Sequence, residues 1–272
     1  MRGFTQALKN SGIAKEEQTR CPKCSTKLLS FGTNKMCPKC FYPETNAVED
    51  LERQKAEFVQ KESRISSANQ AVNFFKANSI FGNTKVSELN FQSYKAKTKE
   101  QQDAYDQVVE AGKKMLSGKP VHLVLSGTTG AGKTHLATAL ANSILKKKQL
   151  DGYKVMFISW VKFFMQRRQA IQDKELSAEL DKKINAIAKA DLVVIDDLGA
   201  ESETGKQASD FTQKDVFNIF EMLEDKNLIL TTNAGTSGLT AMYGKRVLSR
   251  MLKHMDIVKM ADFEDYRLKQ GE

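Results

Sequence analysis

Residues 121–136 read Val-His-Leu-Val-Leu-Ser-Gly-Thr-Thr-Gly-Ala-Gly-Lys-Thr-His-Leu, and the fold follows from this run. Val121 to Leu125 is an apolar segment of strand length, Gly127 to Thr134 fits GxxxxGK[ST], and Leu136, Ala137, Leu140, Ala141 and Ile144 then recur at helical spacing. Strand, glycine-rich turn and helix in that order build a phosphate cradle. Glycine permits the tight turn, and a helix N-terminus presents N–H groups and a favourable dipole to anions. The backbone of Gly127, Thr128, Thr129, Gly130, Ala131 and Gly132 is therefore expected to wrap the phosphates of a nucleotide. Lys133 is expected to reach the β- and γ-phosphates, and the Thr134 hydroxyl to ligate Mg2+.

Working outward, Leu192 to Ile195 is a second buried strand, ending in Asp196 and Asp197. Two adjacent carboxylates are costly to bury without a purpose. Beside a phosphate loop Asp196 can hold Mg2+ through water, and Asp197 can orient and polarise an attacking water. A third strand, Leu228 to Thr232, ends in Asn233, whose amide can position that water or contact the γ-phosphate. An isolated Asn is commonly a turn residue; its place at the end of a third such strand favours the functional reading. Further strands are expected at Lys154–Ser159 and Asp256–Met260, with helices between them, one over Lys214–Leu223 and one containing Arg246 and Arg250. This alternation predicts an α/β fold, a five-stranded parallel sheet with helices on both faces and phosphates at the strands' carboxyl ends.

The chain has 272 residues, room for one sizeable domain and a smaller one. Its best apolar stretch, Val155 to Val161 with Phe163 to Met165 behind it, is interrupted by Lys162 and is too short to span a membrane. The first twenty residues lack an apolar core, so no secretory signal and a cytoplasmic location are expected. The net charge of +9 favours a polyanionic partner. His122, His135 and His254 show no ligand spacing.

All four cysteines fall in two copies of one tetrapeptide, Cys21-Pro22-Lys23-Cys24 and Cys37-Pro38-Lys39-Cys40. Each turn can offer two thiolates to one tetrahedral Zn2+, with backbone amides bonding to sulfur and a short hairpin between the turns. Two disulfides conflict with a cytoplasmic location, and a redox motif would not come duplicated outside a βαβ unit. So small a segment cannot build an adequate core, so zinc would supply its folding energy, about 10–16 kcal/mol. With four ligands no coordination position stays open; such a ribbon grips protein or nucleic acid. From Ala47 to about Ala77 the composition is helical, and Leu51, Phe58, Ile65 and Val72 recur every seven residues as one apolar stripe. The expected organisation is a zinc ribbon over 1–46, a helical linker over 47–86 and a nucleotide-binding domain over 87–272.

With these pieces in hand, the chain resembles the AAA+ ATPases, and more narrowly the bacterial and phage replicative helicase loaders of the DnaC/DnaI type, with the IstB transposition ATPases as close relatives. The matching segments are Gly127–Leu136, Leu192–Gly199, Thr231–Asn233, Gly244–Met251 and the terminal Asp265-Tyr266-Arg267. The resemblance implies that Asn233 fills the sensor-1 position. It also implies that Arg250 is an arginine finger completing a neighbouring subunit's site, with Arg246 the second candidate. Lone helix-surface arginines are otherwise the ordinary reading. It implies self-association through the AAA+ domain, ATP hydrolysis at subunit interfaces, single-stranded DNA as a ligand and a hexameric replicative helicase held through the N-terminal region. Three departures stand out. Asp197 occupies a position where many AAA+ proteins carry Glu; only residues 261–272 follow the last strand, so no helical lid is expected; and the four-cysteine ribbon has no fixed counterpart among loaders. Candidate DNA contacts are Lys162, Arg167 and Arg168 around Phe163 and Phe164, although core packing is the better expectation for the two phenylalanines. Lys206 and Lys214, in the polar stretch Glu201–Lys214, are further candidates. The rival functions are a transposition helper, a P-loop nucleoside kinase with a zinc ribbon, and a nucleotide-gated adaptor.

Overall fold

A computed structural model describes residues 10–32, 34–42, 46–201 and 210–260. The chain divides into two compact units at Ser63/Arg64.

In the first unit, β1 (Lys15–Arg20), β2 (Lys27–Phe31) and β3 (Asn34–Met36) form an antiparallel meander in the order β1-β2-β3. The β2–β3 pair is the hairpin expected between the two cysteine turns. Its buried cluster is Cys21, Leu28 and Cys37, and Ala14 and Leu29 are also buried. So little apolar burial cannot offset the entropy of ordering the chain, which leaves the cysteine centre as the organiser. The helix α1 (Asn46–Asn78) begins in this unit and continues unbroken into the next. Phe58, Val59 and Ile65 on it are exposed, whereas Ala71 is buried and Phe74 and Phe75 pack into the second unit's cores. Only the later part of the predicted stripe is therefore covered; the side chain of Leu51 lies outside the described residues.

The second unit holds β4 (His122–Gly127), β5 (Val155–Ser159), β6 (Leu192–Leu198), β7 (Asn227–Thr232) and β8 (Met255–Met260) in the order β5-β6-β7-β4-β8. All neighbours are parallel. Side chains alternate across each strand. Leu192 and Val194 enter the core beneath α2 (Lys99–Leu116) and α3 (Lys133–Lys148). Val193 and Ile195 enter the opposite core, which is covered by α4 (Trp160–Gln169), α5 (Lys174–Ile187), α6 (Asp210–Leu223), α7 (Thr236–Tyr243) and α8 (Lys245–Met251). Continuous apolar runs such as Leu-Val-Val-Ile arise because both faces are buried. The chain entering this unit also touches the sheet edge. Ile80 pairs in parallel with Ile158, its N–H donating to the Phe157 carbonyl at 2.7 Å and its carbonyl accepting from Ser159 N–H at 2.7 Å.

Local details differ from the sequence expectations. The helix expected from Lys214 begins at Asp210; Arg246 and Arg250 share one helix as expected, and a further helix precedes it, the two meeting at Gly244, whose φ of +82° only glycine adopts without strain. No helix among the described residues is long and apolar enough to cross a membrane. The lid expectation and Asp265-Tyr266-Arg267 concern residues outside those described.

Candidate nucleotide site and zinc centre

The strand order sets the site. β7 lies between the P-loop strand β4 and the Asp-pair strand β6, so Asn233, just past its end, stands between their chemistries. The Lys133 ammonium, 5% exposed, donates to the carbonyls of Gly127 (2.9 Å) and Thr128 (2.6 Å) and to Asn233 Oδ1 (2.7 Å). Gly130 and Gly132 take φ of +78° and +88°, and a Cβ on Gly132 would lie 3.1 Å from the Tyr94 ring. These are the glycines the tight loop requires.

The Asp pair is built on a bulge. Ile195 pairs with Leu230 and Leu198 with Thr232, so Asp196 and Asp197 together face Thr231 alone. Asp197 takes the extra backbone turn at φ +59°, a conformation that Asp tolerates better than most residues. Regular alternation would send adjacent side chains to opposite faces; with the bulge both aspartates line one cleft of about 720 Å³. Thr231 holds this turn. Its hydroxyl donates to Asp196 Oδ1 (2.8 Å) and accepts from Asp197 N–H (2.8 Å). Thr232 accepts from Ala234 N–H and donates to the Leu198 carbonyl, which fixes the backbone around Asn233. Beyond the pair, Glu201 accepts from Gly199 N–H at 3.0 Å and from the Tyr243 hydroxyl, tying the outgoing chain to α7.

Thr134 Oγ1 donates to Asp196 Oδ1 at 2.9 Å. A hydroxyl and a carboxylate at that separation are hard oxygen donors of the kind Mg2+ prefers, and they fit the ion. Burial, with the Asp197 charge beside it, pushes the Asp196 carboxyl up to about 6. A divalent cation would supply the charge this carboxylate lacks, so the donor set and its electrostatics agree. Among the described residues the Asp197 carboxylate makes no hydrogen bond, which leaves it open to a water in the cleft.

The same cleft is lined by Gly82, Asn83, Tyr94 and the loop residues Thr129 to Thr134. The Tyr94 wall went unrecognised in the sequence. His135 anchors it, with Nε2 3.0 Å from both the Ser93 hydroxyl and the Asn90 carbonyl, while its ring meets Tyr94 edge-on. The residues paired here are more than forty positions apart, and no local pattern announces them.

Arg246 and Arg250 are not in their own chain's cleft. Both guanidinium groups lie over the Phe217 ring, at 5.4 and 4.5 Å from its centroid. Arg250 donates through Nη1 to the Arg246 carbonyl at 3.3 Å and is 3.6 Å from Glu221 and 3.7 Å from Glu224, and its buried Nε has no hydrogen-bond partner. Of the DNA-contact candidates, Phe163 and Phe164 are core residues packed against Trp160. Arg167 grips Asp215 through two hydrogen bonds of 2.9 and 3.2 Å and Asp181 through a third. Lys162 donates to the Phe81 carbonyl and Arg168 to the Phe164 carbonyl. Lys214 is exposed, and Lys206 lies outside the described residues.

In the ribbon the four Sγ atoms lie within 4.8 Å of one another, with separations of 3.3 Å (Cys24–Cys37), 3.5 Å (Cys21–Cys40) and 3.6 Å (Cys24–Cys40). None is joined in a disulfide. Four sulfurs about 2.3 Å from one ion would stand roughly 3.8 Å apart, so the cluster fits Zn2+. Lys23 N–H and Lys39 N–H each point at the first sulfur of their own turn, Cys21 and Cys37, at 3.4 Å, as the tight turns predict.

The model of one protein family, described as IstB-like ATP binding protein, matches residues 84–272. The replicative helicase loader DnaC of Escherichia coli strain K12 is 23% identical over 240 residues, covering 86% of this chain and 92% of DnaC. The insertion sequence IS21 putative ATP-binding protein of Pseudomonas aeruginosa is 29% identical over 156 residues, 55% of this chain and 53% of that protein. The crystal structure of DnaI superposes with a TM-score of 0.54 at 19% identity, covering 66% of this chain and 95% of DnaI, a likeness of fold.

Proposed function

The chain belongs to the IstB-like ATP binding protein family, as an AAA+ protein of the DnaC/DnaI type, and we propose that it loads a replicative ring helicase onto single-stranded DNA under the control of ATP. The observation that carries this reading is the pairing of a P-loop cleft with an arginine parked outside it. Lys133, Asn233, Thr134 and the Asp pair converge in one cleft, and Arg250 on the same chain stands elsewhere, loosely held.

In this reading Lys133 exchanges its carbonyl partners for phosphate oxygens when ATP enters the loop. Thr134 and Asp196 would hold Mg2+, which when bound would offset negative charge on the nucleotide's phosphates. Asp197 takes a hydrogen bond from water and draws it into line with the γ-phosphorus, and the Asn233 amide orients that water or the γ-phosphate. The bond from the γ-phosphorus to the bridging oxygen breaks as the bond to the water oxygen forms, and Asp197 is placed to receive the proton. Arg250 of an adjoining subunit offsets the developing charge, so turnover requires assembly. The N-terminal region holds the helicase, and the assembled AAA+ domains hold the DNA strand.

A transposition helper, differing in its partner, is the second reading, favoured by the family description and the IS21 relative. The nucleoside-kinase reading leaves Asn233 and the arginine helix without a task. Phosphate release from ATP, measured across protein concentration with and without single-stranded DNA, tests the proposal. Turnover per chain should rise with concentration and respond to DNA. Turnover that needs an added nucleoside, and is indifferent to concentration, would identify a kinase instead.

A further inference from the structure

The two cysteine turns share one backbone plan. Ser25 N–H donates to the Cys21 carbonyl and Phe41 N–H to the Cys37 carbonyl, and the residue after each second cysteine is left-handed, Ser25 at φ +57° and Phe41 at φ +55°. Glycine takes this conformation without steric cost; a bulky aromatic does not. Phe41 nevertheless occupies it and is 62% exposed, while the adjoining Tyr42 packs into the ribbon core. Folding gives no reason for a phenylalanine here, and strain of this kind concentrates at functional sites.

The surroundings are cationic. The six lysines and arginines between Ala14 and Tyr42 face two glutamates, Glu16 and Glu17, which pair with Lys27 and Lys35 on the sheet. Lys23 and Lys39 at the turn apices are exposed and make no ion pair among the described residues. Even with four thiolates and one Zn2+ counted, the ribbon stays net positive. Lys23, Lys39 and Phe41 each lie within two residues of a cysteine, and the four sulfurs are within 4.8 Å of one another, so all three stand at the cysteine-centre end of the ribbon.

We propose that this end of the ribbon binds single-stranded DNA, with Phe41 stacking on a base and Lys23 and Lys39 contacting nearby phosphates. An exposed aromatic ring near free cations suits a single strand, because its base faces are uncovered. The inference rests on the loader reading and adds a second grip on the strand, separate from the AAA+ domain.

The test uses the full-length zinc-loaded protein, without nucleotide, and a fluorescein-labelled oligo(dT) of about 20 nucleotides, long enough for one such site. Phe41→Gly suits the left-handed turn, so zinc content should hold while affinity falls roughly 5- to 150-fold, the usual worth of one stacked base. Phe41→Asn, which also tolerates the turn, should repeat the loss, and Phe41→Trp should restore binding. Removing both lysines should flatten the dependence of log affinity on log salt by roughly 1.4. Unchanged oligo(dT) affinity in Phe41→Gly and Phe41→Asn at full zinc content would overturn the inference and point to a protein-docking face. The loader reading would be untouched, since it fails separately if wild-type turnover ignores DNA.

Discussion

Asp196 shows how one residue joins stability to function. It is 6% exposed and accepts from Thr134 and Thr231 through the same oxygen, Oδ1. Its carboxyl sits at about 6, pushed up by burial and then by Asp197. A carboxyl raised on folding favours the fold fully below its unfolded value, and that contribution is lost as pH rises through about 6. At neutral pH the buried charge therefore opposes folding by about 3 kcal/mol. Asp196→Asn keeps the shared Oδ1 acceptor and removes the charge. Without nucleotide it should melt roughly 2–10 °C above wild type at pH 8, the gap closing as pH falls through 6 towards 4, and it should lose stabilisation by Mg2+ with ATP. Wild-type binding of ATP with Mg2+ should weaken over the same pH interval, since a proton then competes with the cation. Matched pH series of thermal melts check both. Asp196, Asp197 and Asn233 were legible because polar groups stand where apolar strands end. Thr231, which shapes the bulge, was not: a threonine in a strand looks like ordinary β-propensity.

At the scale of elements, the strands, the P-loop helix and the cysteine turns were readable because apolar runs, periodicity and fixed ligand spacing are local signals. The bulge in β6, the break at Gly244 and the Tyr94 wall came only with the structure, because each depends on partners far along the chain. The same distinction explains the basic cluster of α4. In sequence Arg167 and Phe163 resemble a strand-binding patch, whereas in the fold Arg167 is bidentate to Asp215 and Phe163 is core. The ribbon is the element that the proposed zinc would matter to most. Its apolar core is minimal, so purified protein should carry close to one zinc per chain. Cys21→Ser should unfold the ribbon and leave nucleotide binding by the second unit intact. Zinc analysis together with a nucleotide titration of the variant checks this, and loss of both properties would contradict separate units.

For the whole molecule, the proposed function makes Arg250 the residue that connects one chain to the next. Arg167 and Arg250 are both near carboxylates, but the first is locked by close paired hydrogen bonds to one, whereas the second stands 3.6 and 3.7 Å from its carboxylates, with Nε unbonded and one 3.3 Å bond to the Arg246 carbonyl. Pairs of the second kind are worth little and release easily. Phe217 keeps the guanidinium in place through its ring face without consuming donors. Such an arginine is available to a neighbour's phosphate, as the proposed site shared between subunits requires. The most direct test mixes two inactive proteins. Lys133→Ala removes the charge that meets the phosphates and should not bind ATP. Arg250→Ala should bind ATP normally yet hydrolyse it as much as 10³–10⁵-fold more slowly, equivalent to about 4–7 kcal/mol of lost transition-state stabilisation. In a mixture an intact P-loop from the Arg250→Ala chain can meet an intact Arg250 from the Lys133→Ala chain, so phosphate release should return and peak at intermediate ratios. Turnover that stays at the level of the separate mutants across all mixing ratios would contradict the shared site.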